Sequence, residues 1–427
     1  MKTSEIFDGL LTNLKLDNDD ALTSRRDEIA KVLNKEFRGL VDATNNRLMV
    51  GSYGRFTAIR GISDLDLLYF LPSSLWDTYK GEGGPSDVLS RTRNAIQARY
   101  TTTSVKVDRL VVVVQFQNFK FEVQPVFEQE DGSFQYPDTY SKSWKVTKPR
   151  AEIEAIGTYD SMTTGNLRKL CKMTRAWKNK HGVAMGGLLI DTLAYNFFQK
   201  TTDFDTVTTA GYDLMVRDFF KFLADEDVHD HYQALGSNQD VKVKKKFQGK
   251  AKTAYELCLE AIEAEGKSSA NKKWKKVFGR PVPVADTTKE AASAYSFRNT
   301  EEFIEDKYPV DVRYPLSIDC TVTQDGFRPN TLRDMLTRNI WLRPQKTLDF
   351  NITECGVREP YMIKWKVLNR GDEAERRDAI RGSILDQDSK THRESTSFRG
   401  EHYVECYIIK DGVVVARDHI DVPITTS

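Results

Sequence analysis

Apolar positions change their spacing three times along this chain. In residues 6–14 and 20–37 they recur at helical intervals, the second stretch carrying Leu22, Ile29, Val32 and Leu33 on one stripe, which predicts two amphipathic helices. The period then shortens to two. Ser63-Asp64-Leu65-Asp66-Leu67-Leu68 alternates, and Leu110-Val111-Val112-Val113-Val114-Gln115-Phe116 is a β-branched run suited to a buried strand. A Gln117-Asn118 turn separates that run from Phe119-Lys120-Phe121-Glu122-Val123. Beyond Pro149 the helical period returns, over residues 165–180, 188–199, 212–224 and 251–264. Pro281 and Pro283 mark a linker, and from Tyr308 onward alternation dominates again, in 316–322, 361–367, 402–409 and 412–416. Short strands with turns between them predict a β-sandwich. The expected class is therefore α+β in three domains: 1–155 with the first sheet, 156–290 all-helical, and 300–427 β-rich.

Composition narrows the range of functions. At 427 residues the chain is too long for one core, and with 39% hydrophobic residues it can build several. No apolar run approaches the roughly 20 residues of a membrane span, so no membrane partner is expected. A net charge of +1 argues against generic duplex binding, which rests on many phosphate contacts. Cys171, Cys258, Cys320, Cys355 and Cys406 are scattered and odd in number, against a zinc site or disulfide framework. With no signal-like start, the expectation is a cytoplasmic protein.

The candidate chemistry lies between residues 51 and 66. In a strand over 63–68, Asp64 and Asp66 leave one face while Leu65 and Leu67 leave the other. Two adjacent carboxylates repel, and burying them makes sense with a divalent cation between them; oxygen-only donors point to Mg²⁺, with Mn²⁺ as the alternative. A dozen residues earlier, Gly51 permits a tight turn and Ser52 offers a hydroxyl and an amide N–H, leading into a short helix over 53–57 whose N-terminus attracts anions. A triphosphate on Gly51 and Ser52 would reach across to the two aspartates. The strongest local basic face lies on the helix over 165–180, where Arg168, Lys172 and Arg175 fall together; charge on one helix face is by itself usually solvated.

The stretch Gly51-Ser52-Tyr53-x-Arg55-x-Thr57-Ala58-Ile59-Arg60, with Asp64-x-Asp66, resembles the polymerase-beta-type nucleotidyltransferases and, in its wording, the bacterial CD-NTases, relatives of cyclic GMP-AMP synthase and oligoadenylate synthase. The resemblance implies a polymerase-beta-type core with a helical second lobe, and a third carboxylate on a later strand. Glu122, followed by Gln124-Pro125-Val126-Phe127, is the residue it indicates, where aspartate is usual in the family. It further implies that Lys172, and after it Lys178, supports the triphosphate, and that Tyr136 or Trp144 lies in a loop over the nucleotide, as a stacking platform or as packing.

Pro360-Tyr361-Met362-Ile363-Lys364-Trp365-Lys366-Val367-x-Asn369-x-Gly371-x-Glu373-Ala374, Arg381-Gly382 and Gly400-x-His402-Tyr403-Val404-Glu405-Cys406 resemble the adenylyl/guanylyl and SMODS C-terminal sensor domain. There Trp365, Arg381, His402 and Tyr403 are either ligand groups or, for Trp365 and His402 above all, structural. The lysine-rich stretch 239–250 reads as an exposed loop that could rim a channel. Together the resemblances imply a Mg²⁺-dependent synthase joining nucleoside triphosphates (ATP, GTP or others) into a cyclic or linear oligonucleotide in antiphage defence. Its product would go to a downstream effector, and its C-terminal domain would take a ligand or protein partner. The alternatives are nucleotidyl transfer to RNA ends or protein hydroxyls, and a nucleotide-binding regulator with little catalysis.

Overall fold

The computed structural model describes residues 1–17, 19–117, 119–284, 301–323, 328–369, 372–377 and 381–425. The expected turn residue Asn118, the sensor-motif Gly371 and the boundary placed around Glu290 to residue 300 lie outside these.

The first sheet has seven strands: β1 (Arg47–Met49), β2 (Asp64–Phe70), β3 (Ser104–Asp108), β4 (Val111–Gln115), β5 (Lys120–Glu128), β6 (Phe134–Asp138) and β7 (Ser143–Thr147). Their order is β1-β2-β5-β4-β3, with β6 and β7 extending from the far end of β5. Only β2 and β5 run parallel, while every other pairing in the sheet is antiparallel. Leu65, Leu67, Phe121, Val123, Val112 and Val114 leave one face of it and are buried under Leu22, Ile29, Leu33, Val88 and Ile96. Those five come from the helices α2 (Asp19–Arg38) and α5 (Gly84–Arg99); α1 (Thr3–Asn13) precedes them, and α3 (Gly51–Gly54) and α4 (Trp76–Tyr79) lie between them in the chain. Because side chains alternate across a strand, covering one face with helices leaves Asp64, Asp66, Lys120 and Glu122 on the other.

The second region is helical: α6 (Pro149–Met162), α7 (Asn166–His181), α8 (Gly187–Lys200), α9 (Tyr212–Asp225), α10 (Gln248–Glu263) and α11 (Ala270–Phe278), with a small hairpin of β8 (His231–Gln233) and β9 (Asp240–Lys242). Its core holds Trp177, Trp274, Phe219 and Phe220, all buried. α1 contributes to this core rather than to the sheet: Phe7 meets Trp274, Tyr212 and Phe278 edge-on.

The third region packs two antiparallel four-stranded sheets. One has β10 (Leu316–Thr323), β11 (Asn330–Thr331), β12 (Thr347–Cys355) and β15 (Thr391–Ser395); the other has β13 (Met362–Leu368), β14 (Ile384–Leu385), β16 (Gly400–Lys410) and β17 (Val413–Ile424). Alternating residues of both, among them Ile318, Cys320, Phe350, Trp365, Cys406 and Ile420, meet in one core. This is the sandwich the alternation predicts. Trp365 is fully buried and His402 is buried with it, so both take the structural reading. Among the described residues no helix is long and apolar enough to cross a membrane.

Candidate active site

The strand register assembles the carboxylates. Parallel pairing sets Asp66 opposite Glu122 and Asp64 opposite Lys120, so four ionisable groups form a square on the face away from the core. The Gly51 turn abuts it. The Val50 amide donates to the Asp66 carbonyl at 2.9 Å, and Gly51 has φ +63°, where a Cβ would collide with the Asp66 carboxylate. The turn enters α3, Gly51–Gly54, two residues earlier than the expected helix, because the glycine starts the helical turn itself. Thr57 and Ala58 then donate to the Ser52 carbonyl at 2.9 and 3.1 Å, closing a compact loop beside β2.

The charges around the square are unevenly matched. Lys120 Nζ is 2.7 Å from Glu122 and 3.8 Å from Asp64. Asp64 also pairs with Arg313, a residue that precedes the β-sandwich. Asp66 has no ion pair among the described residues. Burial, then the neighbouring Glu122 and Asp64 charges, push its carboxyl up to about 7. A partly buried carboxylate between two others is stabilised by a cation and by little else, so the donor set fits a divalent metal. Among the described residues no three carboxylate, imidazole or thiol groups converge tightly enough to ligate an ion as they stand, since Asp64 and Glu122 are drawn to Arg313 and Lys120.

α7 forms the opposite wall. Arg168 donates from Nε to the Arg55 carbonyl at 3.0 Å and pairs with Asp160 at 3.1 Å. Arg175 is buried and forks onto Asp191 at 2.7 and 3.0 Å; Asp191 in turn accepts from Arg55 at 2.8 Å and Thr57 at 3.0 Å. Lys172 lies between them, on the helix face that abuts the Gly51 loop. It makes no ion pair among the described residues, and burial, then the Arg168 and Arg175 charges, lower its pKa. Lys178, a turn and a half further on, is buried and bonded to Asp311 at 2.7 Å. The shared basic face is thus mostly neither solvated nor free: Arg168 and Arg175 are structural.

Trp144 is packing. Its ring meets Trp76 and Phe127 edge-on and its Nε1 donates to the Tyr79 carbonyl at 2.9 Å. Tyr136 sits half-buried on β6, paired across to Lys145. The lysine-rich stretch is exposed at Lys242, Lys244, Lys245, Lys246 and Lys250, as expected, and two of its side chains reach acceptors of the third region: Lys244 donates to the Arg313 carbonyl at 3.0 Å and Lys245 pairs with Glu354 at 2.5 Å.

Sequence reasoning missed Lys120, Arg55, Asp191 and Arg313. Alternation alone could have found Lys120, two residues from Glu122 and so on its face. Nothing local marks Arg313, which donates to Ser63 Oγ at 2.9 Å across 250 residues.

Residues 1–159 match the Second Messenger Oligonucleotide or Dinucleotide Synthetase (SMODS) domain, and residues 298–425 match the Adenylyl/Guanylyl and SMODS C-terminal sensor domain. Among solved structures, CdnC of Escherichia coli MS115-1 with ATP is 16% identical, covering 66% of this chain and 99% of its own with a TM-score of 0.50; that likeness is one of fold. The Vibrio cholerae DncV cyclic AMP-GMP synthase is 14% identical, with 66% of this chain and 87% of its own covered and a TM-score of 0.47. No curated protein matches the chain significantly. Fold and domains together define a nucleotidyltransferase of the second-messenger synthase class. Within that class the chain joins a SMODS domain to an Adenylyl/Guanylyl and SMODS C-terminal sensor domain.

Proposed function

We propose that Asp64, Asp66 and Glu122 hold the divalent metal, Mg²⁺ or Mn²⁺, and that Gly51, Ser52 and Lys172 grip the triphosphate of the donor nucleotide, ATP and GTP being the first candidates. One observation carries the reading: three carboxylates lie side by side across β2 and β5, with the Gly51 backbone pressed against the central one. The metal would supply positive charge for the phosphates and the attacking hydroxyl. The chain's own groups do the rest. The Gly51 turn brings backbone amides to the phosphates at the start of α3, and Ser52 adds a hydroxyl. Lys172 supplies the unpaired cation on the facing wall. Glu122 is placed to accept the proton of an acceptor hydroxyl as that oxygen attacks the α-phosphate and pyrophosphate departs. Lys178 contributes to phosphate binding only after release from Asp311.

A cyclic or linear oligonucleotide made in the cytoplasm for a separate effector is the product this reading favours. The CdnC structure that shares the fold was solved with ATP, which agrees with a nucleoside triphosphate as the substrate class. The test is to incubate the protein with all four triphosphates and Mg²⁺, alone and with RNA or protein acceptors, and to weigh the products. Oligonucleotides formed without an acceptor support the synthase; label found only on RNA ends or protein would replace it. Asp66→Asn should abolish pyrophosphate release with the fold intact, and wild-type turnover in that variant would remove the metal assignment.

A further inference from the structure

We propose that residues 309–314 are a strap that inhibits the enzyme from within, placing Arg313 on Asp64 where a metal would bind and Asp311 on Lys178 where a phosphate would bind. The inference rests on the metal-site reading above and names the regulation of that site.

The strap belongs to the sandwich by its backbone and to the catalytic cleft by its side chains. Asp311 and Arg313 amides donate to the Val414 and Val415 carbonyls at 3.0 and 2.8 Å, and the Val414 amide donates back to Pro309 at 2.9 Å, so the strap runs as an extra strand beside the start of β17. On its other side Asn179 of α7 clamps it, donating to the Val310 carbonyl at 2.8 Å and accepting from the Val312 amide at 3.1 Å. Arg313 projects from this clamp into the square. Its guanidinium bonds Asp311 at 2.7 Å, Ser63 Oγ at 2.9 Å and the Asp64 carboxylate. Burial alone would raise the Asp311 pKa, yet Lys178 and Arg313 hold it well below the usual carboxylate range, so the strap is charged at both ends of its reach.

A guanidinium and a divalent ion seek the same lone pairs on Asp64 and repel one another, so metal can engage that carboxylate fully only when Arg313 withdraws. Asp311 likewise competes with a triphosphate for Lys178. Because the strap leads directly into β10 and is hydrogen-bonded to β17, any ligand that favours a different arrangement of these strands biases the cleft. The sensor region then needs no contact with the metal carboxylates other than this one arginine.

Mn²⁺ binding to the full chain, followed by the electron paramagnetic resonance of the free ion, tests this without relying on turnover. Arg313→Ala should bind Mn²⁺ about tenfold more tightly than the unaltered chain, equivalent to about 1.4 kcal/mol, and should raise basal synthesis. Unchanged or weaker Mn²⁺ affinity would overturn the strap and place Arg313 among the substrate-binding groups. Asp66→Asn is the control for the underlying reading: Mn²⁺ affinity that survives it would overturn the metal site and the strap together. Hydrogen exchange on the unaltered chain makes the test independent of variant folding. Saturating Mn²⁺ with a non-hydrolysable ATP analogue should speed exchange at the Val312 amide, the one bonded to Asn179 of α7, and unchanged protection there would sink the proposal.

Discussion

Asp66 is the residue on which the site's electrostatics turn. Its folded-state pKa of about 7 lies above the ordinary carboxylate value, so the protonated form is favoured by folding. Its contribution to stability is therefore full at low pH and lost as pH rises through about 7. In metal-free protein, Asp66→Asn should unfold at higher denaturant than the unaltered chain at pH 8, by up to about 1.4 kcal/mol for each unit of the shift, and match it near pH 4. Added Mg²⁺ should reverse the order at pH 8; a variant that gains nothing at pH 8 in chelator would show that Asp66 is not under this strain. The two aspartates and Gly51 were readable from sequence because strand alternation and a glycine turn are local signals. Lys120 lay inside a segment already read as a strand, but its pairing needs the parallel register of β2 and β5. Arg313 and Asp191 were invisible for another reason: their partners come from other regions, and no spacing along the chain announces them.

Among the elements, α7 divides its cations by role, and substitution should separate them. Lys172→Ala removes a cation with no ion-pair partner, so stability should hardly change while the apparent affinity for ATP falls by about tenfold, the scale of a charge-assisted hydrogen bond. Arg175→Ala leaves the buried Asp191 with Arg55 as its remaining ion-pair partner and the Thr57 hydroxyl beside it, and should cost about 3–5 kcal/mol in a denaturant titration. Equal stability of the two variants would contradict this division. The helical stretches α7 to α10 followed their apolar period closely. α5 did not stand out because it buries only a few apolar side chains, chiefly Val88, Leu89 and Ile96, behind a Gly-Pro start. α11 was hidden behind lysines, although Trp274, Val277 and Phe278 anchor it. The lysines at 244 and 245 are exposed, as expected, but their acceptors, the Arg313 carbonyl and Glu354, were not legible because they belong to a region distant in sequence.

At the scale of the whole molecule, the sandwich is docked on the end of α7. Gly182 ends that helix with φ +65°, and a Cβ there would strike the Arg417 carbonyl of β17. Arg417 itself is buried, bonded to Glu405 at 2.7 Å and Glu305 at 3.0 Å, so it cannot easily retreat. Gly182→Ala should therefore lose more than the roughly 1 kcal/mol of an unfavourable backbone conformation and loosen hydrogen exchange along β17; normal protection of that strand would show the docking to be soft. The docking gives α7 a mechanical character. Its 16 residues form a rod about 24 Å long. One end is pinned at the Arg55 carbonyl beside the Gly51 turn, and the other is seated against β17. A rod fixed at both ends cannot absorb a displacement at one of them by bending over so few turns; it tilts. The sandwich and the Gly51 turn are thus two ends of one lever, and a push on either is felt as a change of angle at the other.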